Sequence, residues 1–191
     1  MSETQTPATP VRIALPLSEE AILSLRAGDE VLLHGTLYTG RDAAHKRLRD
    51  AIERGEKLPI PLAGSAIYYC GPAPAPPGRA MGSAGPTTSY RMDAFARQLH
   101  SLGLKATIGK GDRAPDVRRA CLEYRAVYLV AIGGAGALLA RTIIAARVIA
   151  YEDLGPEAIH ELQVDDFPAI VAYDAFGGSV FPADEPLEAE A

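Results

Sequence analysis

Three short stretches of this chain carry side chains able to grip a small anion. In "LHGTLYTGRDAAHKR", Arg41 stands where a strand-like run gives way to a helix-like one. In "GPTTSYRM", Thr87 precedes Arg91 by four residues, so the two share a face if both are helical. In "TIGKGDRAPD", Lys110 is held between two glycines after a strand-like run and before a helix-like one. A planar guanidinium beside a hydroxyl suits a carboxylate, and an ammonium adds a compact positive charge. Taken together, Arg41, Thr87, Arg91 and Lys110 fit a small dianion such as a dicarboxylate. The N–H groups opening the helix after "GPTT" favour an anion at the same place. His34 and His45 are candidates for acid or base work.

These residues need elements to hold them, and the chain supplies an alternation. "VRIALPL" reads as a short strand and Ser18 as the cap of a short helix that stops before Gly28. "EVLLHGTLY" is rich in strand formers. The following helix buries Ala44, Leu48, Ala51 and Ile52 on one face and ends at Gly55. "SAIYYC" is a further strand, leading into a loop stiffened by Pro72, Pro74, Pro76, Pro77 and Pro86. In that loop Gly82 and Gly85 are expected to let backbone approach a ligand. Beyond it, "RMDAFARQLHSLG" is a helix that buries Met92, Phe95, Ala96 and Leu99, with Gly103 at its end. "LKATIG", "APDVRRACLEY" and "AVYLVAIGG" read as strand, helix and buried strand. "ALLARTIIAARVIAYE" fits helix or strand. "AIHELQVDDFPAIVAYDAFGGSVF" reads as two or three strands, the last pair joined by the Gly-Gly turn. The expected fold is α/β with a mixed sheet. Residues 11–182 form a single domain, between tails at 1–10 and 183–191 whose polar or acidic, proline-bearing composition predicts disorder.

Composition narrows the function classes. At 191 residues, 48% hydrophobic, the chain can bury a sizeable core. A net charge of -5 argues against nucleic acid as the main partner. Cys70 and Cys121 have no CxxC or Cys/His spacing, so the chain alone holds neither a structural zinc site nor a complete iron–sulfur site. "MSETQTPATP" is polar and unlike a signal peptide, and the longest apolar run is glycine-broken and short for a membrane span. A cytoplasmic location is the expectation. GxxxxGK[ST] is absent, and "IGGAGALLA" lacks GxGxxG spacing. No carboxylate pair, Ser-His-Asp set or metal-ligand cluster accompanies the four site residues, so they resemble half of an active site.

"YCGPAPAPPGRAMGSAGPTTSYRMD", "HGTLYTGRDAAHKR", "IGKG", "AIGGAGALLA" and "LGPEAIHELQVDDFPAIVAYDAFGGSVF" together resemble the β subunit, or C-terminal domain, of class I fumarases and the related L-tartrate dehydratases. The resemblance covers most of residues 11–182. It implies a swivelling β/β/α domain and a hydro-lyase that interconverts fumarate and malate. It also implies a 4Fe–4S cluster held by another domain or subunit, which this chain lacks. A cluster-bearing α subunit, an α2β2 assembly and a dicarboxylate substrate are the partners expected from it. The natural-looking start and the acidic end of the chain fit a two-subunit form. By motif, Arg41 and Arg91 would clamp the substrate carboxylates. Thr87 would face the carbon that loses a proton, with Lys110 in the same shell. Thr87 and Lys110 are the catalytic candidates. One departure from the resemblance is Tyr90, where related sequences commonly carry a small residue. L-tartrate dehydration, and a dicarboxylate-binding module without turnover, are the alternatives.

Overall fold

The computed structural model describes residues 9–131, 134–182 and 187. The tails expected at 1–10 and 183–191 fall almost wholly outside the described residues. Strands β1 (Val11–Leu15), β2 (Glu30–Thr39), β3 (Ala66–Tyr68), β4 (Ala106–Gly109) and β5 (Val127–Val130) run parallel, each paired to the next. Parallel neighbours need crossovers, and here α1 (Glu19–Ser24), α2 (Asp42–Glu53), α3 (Asp93–Ser101) and α4 (Pro115–Glu123) supply them. The Ser18 side chain accepts a 3.1 Å hydrogen bond from the Ala21 N–H, as its capping position predicts.

The segment that fits helix or strand is both. A short helix α5 (Gly136–Leu139) and a 3₁₀ turn lead into strand β6 (Ile143–Ala150). The segment read as two or three strands is instead one 15-residue strand, β7 (Ile159–Tyr173). Its puncture marks are a bulge and a proline within pairing. Leu33 lies opposite Phe167 and Gly35 opposite Val164, so Asp165 and Asp166 together face the single residue His34. Asp166 takes a left-handed φ of 53° to absorb the extra residue. The Gly-Gly turn brings Ser179 back to Tyr173 as an isolated bridge rather than a strand.

Strand β7 is antiparallel to β2, β5 and β6. Because β2 pairs with both β3 and β7, the circuit β2–β3–β4–β5–β7 closes on itself, with β1 and β6 appended. Alternation along the parallel strands then makes two cores. Tyr68, Ile108 and Leu129 point to the β7 side and pack with Phe167 and Val171. Ile67 and Tyr69 point to the other side, under Ala44 and Leu48 of α2 and Leu99 of α3. Burial of such side chains contributes about 1.5–3 kcal/mol apiece.

The proline loop is folded onto the molecule. Tyr68 donates its hydroxyl to the Ala84 carbonyl at 2.5 Å, Ala73 N–H bonds Ser83 O at 2.9 Å, and Ala84 N–H bonds Gly136 O at 3.1 Å. Met81 and Ala84 belong to the core beneath. Gly82 serves this packing rather than a ligand: a Cβ there would stand 2.3 Å from the Pro74 carbonyl oxygen. At Gly85 a Cβ would meet only the Gly136 Cα, at an ordinary 3.8 Å.

Candidate functional site

The carboxyl ends of parallel strands are where open α/β sheets gather ligands, and all four candidate residues lie there. Thr39 ends β2, and Gly40 N–H bonds the Tyr68 carbonyl at 3.0 Å. Arg41 follows as the N-cap residue of α2, without a capping side-chain bond of its own. That cap comes from a distant residue: one Glu157 oxygen accepts from the Ala43 N–H at 2.9 Å and the other lies 3.3 Å from an Arg41 Nη. Nothing in the local sequence signals Glu157 as the partner of a helix 114 residues away. The Arg41 stem lies over Gly71, where a Cβ would stand 2.8 Å from its second Nη. Gly71 is therefore the residue that admits the guanidinium.

Arg91 reaches the same place from the other side. Its Nε donates to Asp42 Oδ1 at 2.9 Å, while Asp42 Oδ2 is 4.0 Å from Arg41 Nε. Asp42 thus stands between the two guanidinium groups. Oδ2 and the Arg41 Nε are both shielded from solvent and neither has a hydrogen-bond partner among the described residues.

The helical argument for Thr87 and Arg91 fails. The chain is extended through Thr88, and Arg91 lies in a four-residue 3₁₀ turn, Ser89–Met92, that leads into α3. The N–H groups at this turn are those of a short lead-in, so no long helix opens on Thr87. Thr87 is placed instead by its backbone, whose N–H bonds the Tyr69 carbonyl at 2.6 Å. Thr88 and Lys110 form a parallel bridge, and Ser89 N–H bonds the Lys110 carbonyl at 3.0 Å. So Lys110, exposed at the end of β4, is stitched to the Thr87–Thr88 segment.

Ser89 and Arg113 are the residues that the sequence did not mark. The Ser89 Oγ accepts from the Lys110 N–H at 3.0 Å and lies 2.9 Å from the Tyr128 hydroxyl, which itself donates to the Gly111 carbonyl at 2.5 Å. A Cβ on Gly109 would stand 1.9 Å from that Oγ. This explains the first glycine of "IGKG": it clears space for the hydroxyl that holds the lysine. Gly109→Ala is expected to cost roughly 1–3 kcal/mol in a urea-unfolding measurement, as overpacking does. Ser89→Ala in the same chain should return part of it. Arg113, wholly buried in its side chain, donates to Asp93 Oδ1 at 2.5 Å and stacks between the Tyr69 and Tyr128 rings at 5.2 and 5.0 Å. Burial works against its charge, but Tyr69 and Asp93 outweigh that and raise its pKa.

The two histidines do not join the site. His34 sits in mid-β2 opposite Ala14, away from the strand ends. His45 is buried under Tyr69 and Phe95, and its Nδ1 donates to the Arg41 carbonyl at 2.9 Å. Burial lowers its pKa to about 4, so it stays neutral at ordinary pH and braces Arg41 rather than moving protons. His100, near the far end of α3, is likewise lowered to about 4 by burial. The unfolded chain binds protons on these rings from pH 6.5 downward and the folded chain only from about 4. Stability that is full above pH 6.5 is therefore lost as the pH falls toward 4. At pH 4.5 the loss should be smaller by roughly 2 kcal/mol in His100→Gln than in the wild type, read by urea unfolding.

Burial pushes both the Cys70 and the Cys121 thiols up to about 12. Among the described residues there is no group of three or more His, Cys, Asp or Glu side chains placed to hold a metal ion. No helix among them is long and apolar enough to cross a membrane.

Residues 1–183 match the family model described as Fumarase C-terminus. Over 177 residues the chain is 40% identical to the aerobic class I fumarate hydratase of Salmonella typhimurium, a match covering 90% of this chain and 30% of that protein. It is 40% identical over 156 residues to fumarate hydratase 2 of Leishmania major, covering 81% of this chain and 28% of that protein. A third relative has matching length. The putative L(+)-tartrate dehydratase subunit beta of Methanocaldococcus jannaschii is 37% identical over 171 residues, 86% of this chain and 88% of that protein. The chain thus spans less than a third of the two fumarate hydratases and most of the subunit.

Proposed function

The chain belongs to the Fumarase C-terminus family, and from that premise we propose that it is the β component of an iron–sulfur hydro-lyase that adds water to fumarate. The observation that carries this reading is the pair Arg41 and Arg91, facing one another across Asp42 at the carboxyl ends of the parallel strands. Two guanidinium groups so placed suit the two ends of a short dicarboxylate. Thr87 moves the proton at the substrate carbon. A threonine hydroxyl is a weak base, and the cationic surroundings of Arg41, Arg91 and Lys110 favour its deprotonated form. The arginines also stabilise charge that builds on the carboxylate as the proton leaves.

The 4Fe–4S cluster implied by the family resemblance is assigned to the complementary polypeptide, in keeping with the buried, high-pKa thiols of this chain. The same reading makes the strand circuit with its helical layer a swivelling β/β/α domain in an α2β2 assembly. The match along most of a protein named as a tartrate dehydratase subunit favours L-tartrate as the second substrate reading. Fumarate and L-tartrate differ in hydroxylation, which a hydrogen-bonding pocket discriminates strongly. The test is anaerobic kcat/KM for fumarate and for L-tartrate, side by side, in the complex with the complementary polypeptide. Preference for fumarate supports the first reading and preference for tartrate the second. Binding of both without turnover of either would leave a dicarboxylate-binding module.

A further inference from the structure

The outer surface of β6 breaks the pattern of the other strands. Ile144 is 67% exposed, Val148 44%, and Leu138 on the preceding α5 60%. Strand β6 ends the sheet order and, among the described residues, pairs only with β7, so its other backbone edge is open. Exposed apolar side chains on an open edge are normally covered or charged. Beside them the proline loop forms a second wall. Between the two lies a cleft of about 390 Å³ lined by Pro72, Pro74, Met81, Val148, Pro156 and His160. A second hollow of about 280 Å³, which shares Ala80 with the first, is lined by Ile144, Arg79 and Arg141. The cleft reaches Pro72 and Pro156, and the Pro156 carbonyl and the Arg41 guanidinium both flank the space that a Cβ on Gly71 would take. The face is therefore continuous with the candidate site.

Its charge runs against that of the molecule. The chain carries a net -5, yet Arg79, Arg141 and Arg147 ring this face and no acidic residue lines either hollow. Only Arg147 is paired, with Glu161 at 2.8 Å; Arg79 and Arg141 have no ion-pair partner among the described residues. We propose that this β6–proline-loop face is where the complementary polypeptide docks, presenting an apolar ridge flanked by acidic side chains. The inference rests on the function proposed above. Three facts choose this occupant. The chain spans only 30% of the Salmonella enzyme, so the function proposed above needs a further portion that this sequence does not contain. The open site adjoins the face. A second copy set on it would bring like-charged arginines together, which disfavours self-pairing.

The probe is the polypeptide of the same source that matches the rest of the class I fumarate hydratases, titrated with the full chain. Ile144→Asp is expected to weaken the complex about 100-fold, as a central apolar anchor does. Arg79→Glu with Arg141→Glu should weaken it about tenfold or more, with a flatter salt dependence. These side chains are exposed, so an unchanged urea midpoint certifies the fold of each variant. Unaltered affinity in both variants overturns the proposal. A wild-type dimer of this chain alone, lost in Ile144→Asp, assigns the face to a second copy and also overturns it. Turnover is read on the same samples. An active complex indifferent to Ile144→Asp sinks the docking face and leaves the function standing. A complex weakened by Ile144→Asp that turns over neither fumarate nor L-tartrate does the reverse. No complex at all overturns both.

Discussion

In the two-component enzyme proposed above, Arg91→Ala is expected to lower kcat/KM for the dicarboxylate by about a hundredfold. A hydrogen bond to a charged group contributes about 1.5–3 kcal/mol, and about 1.36 kcal/mol is a tenfold change in rate. Among the described residues the Arg91 side chain makes one ion pair, through Nε to Asp42, which leaves its two Nη groups for a ligand. Arg91→Lys should recover little, because an ammonium cannot reproduce the two-pronged fork. If the guanidinium holds substrate and transition state alike, KM rises and kcat stays. If it stabilises charge that builds during proton loss, kcat falls. Arg41→Ala is a poorer probe, since Arg41 also pairs with Glu157 and packs on Gly71. An Arg91→Ala complex within threefold of the wild type, on the order of the context scatter in such energies, would sink the clamp.

The largest effect on stability is expected at Arg113. Arg113→Met should cost about 3–5 kcal/mol, because it leaves a shielded Asp93 carboxylate without its cation. Asp93 would keep the Ala114 N–H at 2.8 Å, so its loss is not complete. Arg113 also donates to Thr107 Oγ1 at 3.3 Å, and its backbone N–H bonds the Tyr173 hydroxyl at 3.2 Å. It thereby ties α3, β4 and β7 together behind the site. The double variant Arg113→Met with Asp93→Asn should recover part of the loss, since the orphaned charge is gone. Urea unfolding of the two single variants and the double reads this directly. A single-variant cost below about 1 kcal/mol would place the pair among the weak surface ion pairs and contradict the account of its burial.

The same two regions show where the sequence was legible and where it was not. Helix α2 was plain because Ala44, Leu48 and Ala51 recur at helical spacing and Gly55 stops it. Arg41, Arg91 and Lys110 were visible because charged groups at strand-to-helix junctions face the ligand end of a parallel sheet. What joins them was not visible. Thr87 and Arg91 do not meet along a helix; the Thr88–Lys110 bridge and Asp42 do that work, and both arise from long-range pairing. Arg113 in "GDRAPD" has the look of a solvated loop charge, and only the packing of Tyr69 and Tyr128 around it reveals otherwise. Strand β7 looked broken because Asp165, Asp166 and Pro168 are turn-like residues. A bulge lets the first two interrupt the pattern without ending the strand.

The most direct test of the central claim is anaerobic hydration of fumarate by this chain alone, by the complementary polypeptide alone, and by the two mixed. The split-site account predicts turnover in the mixture only, and its collapse when the mixture is made with Thr87→Ala. Turnover by either polypeptide alone at the rate of the mixture, or a mixture indifferent to Thr87→Ala, would contradict it.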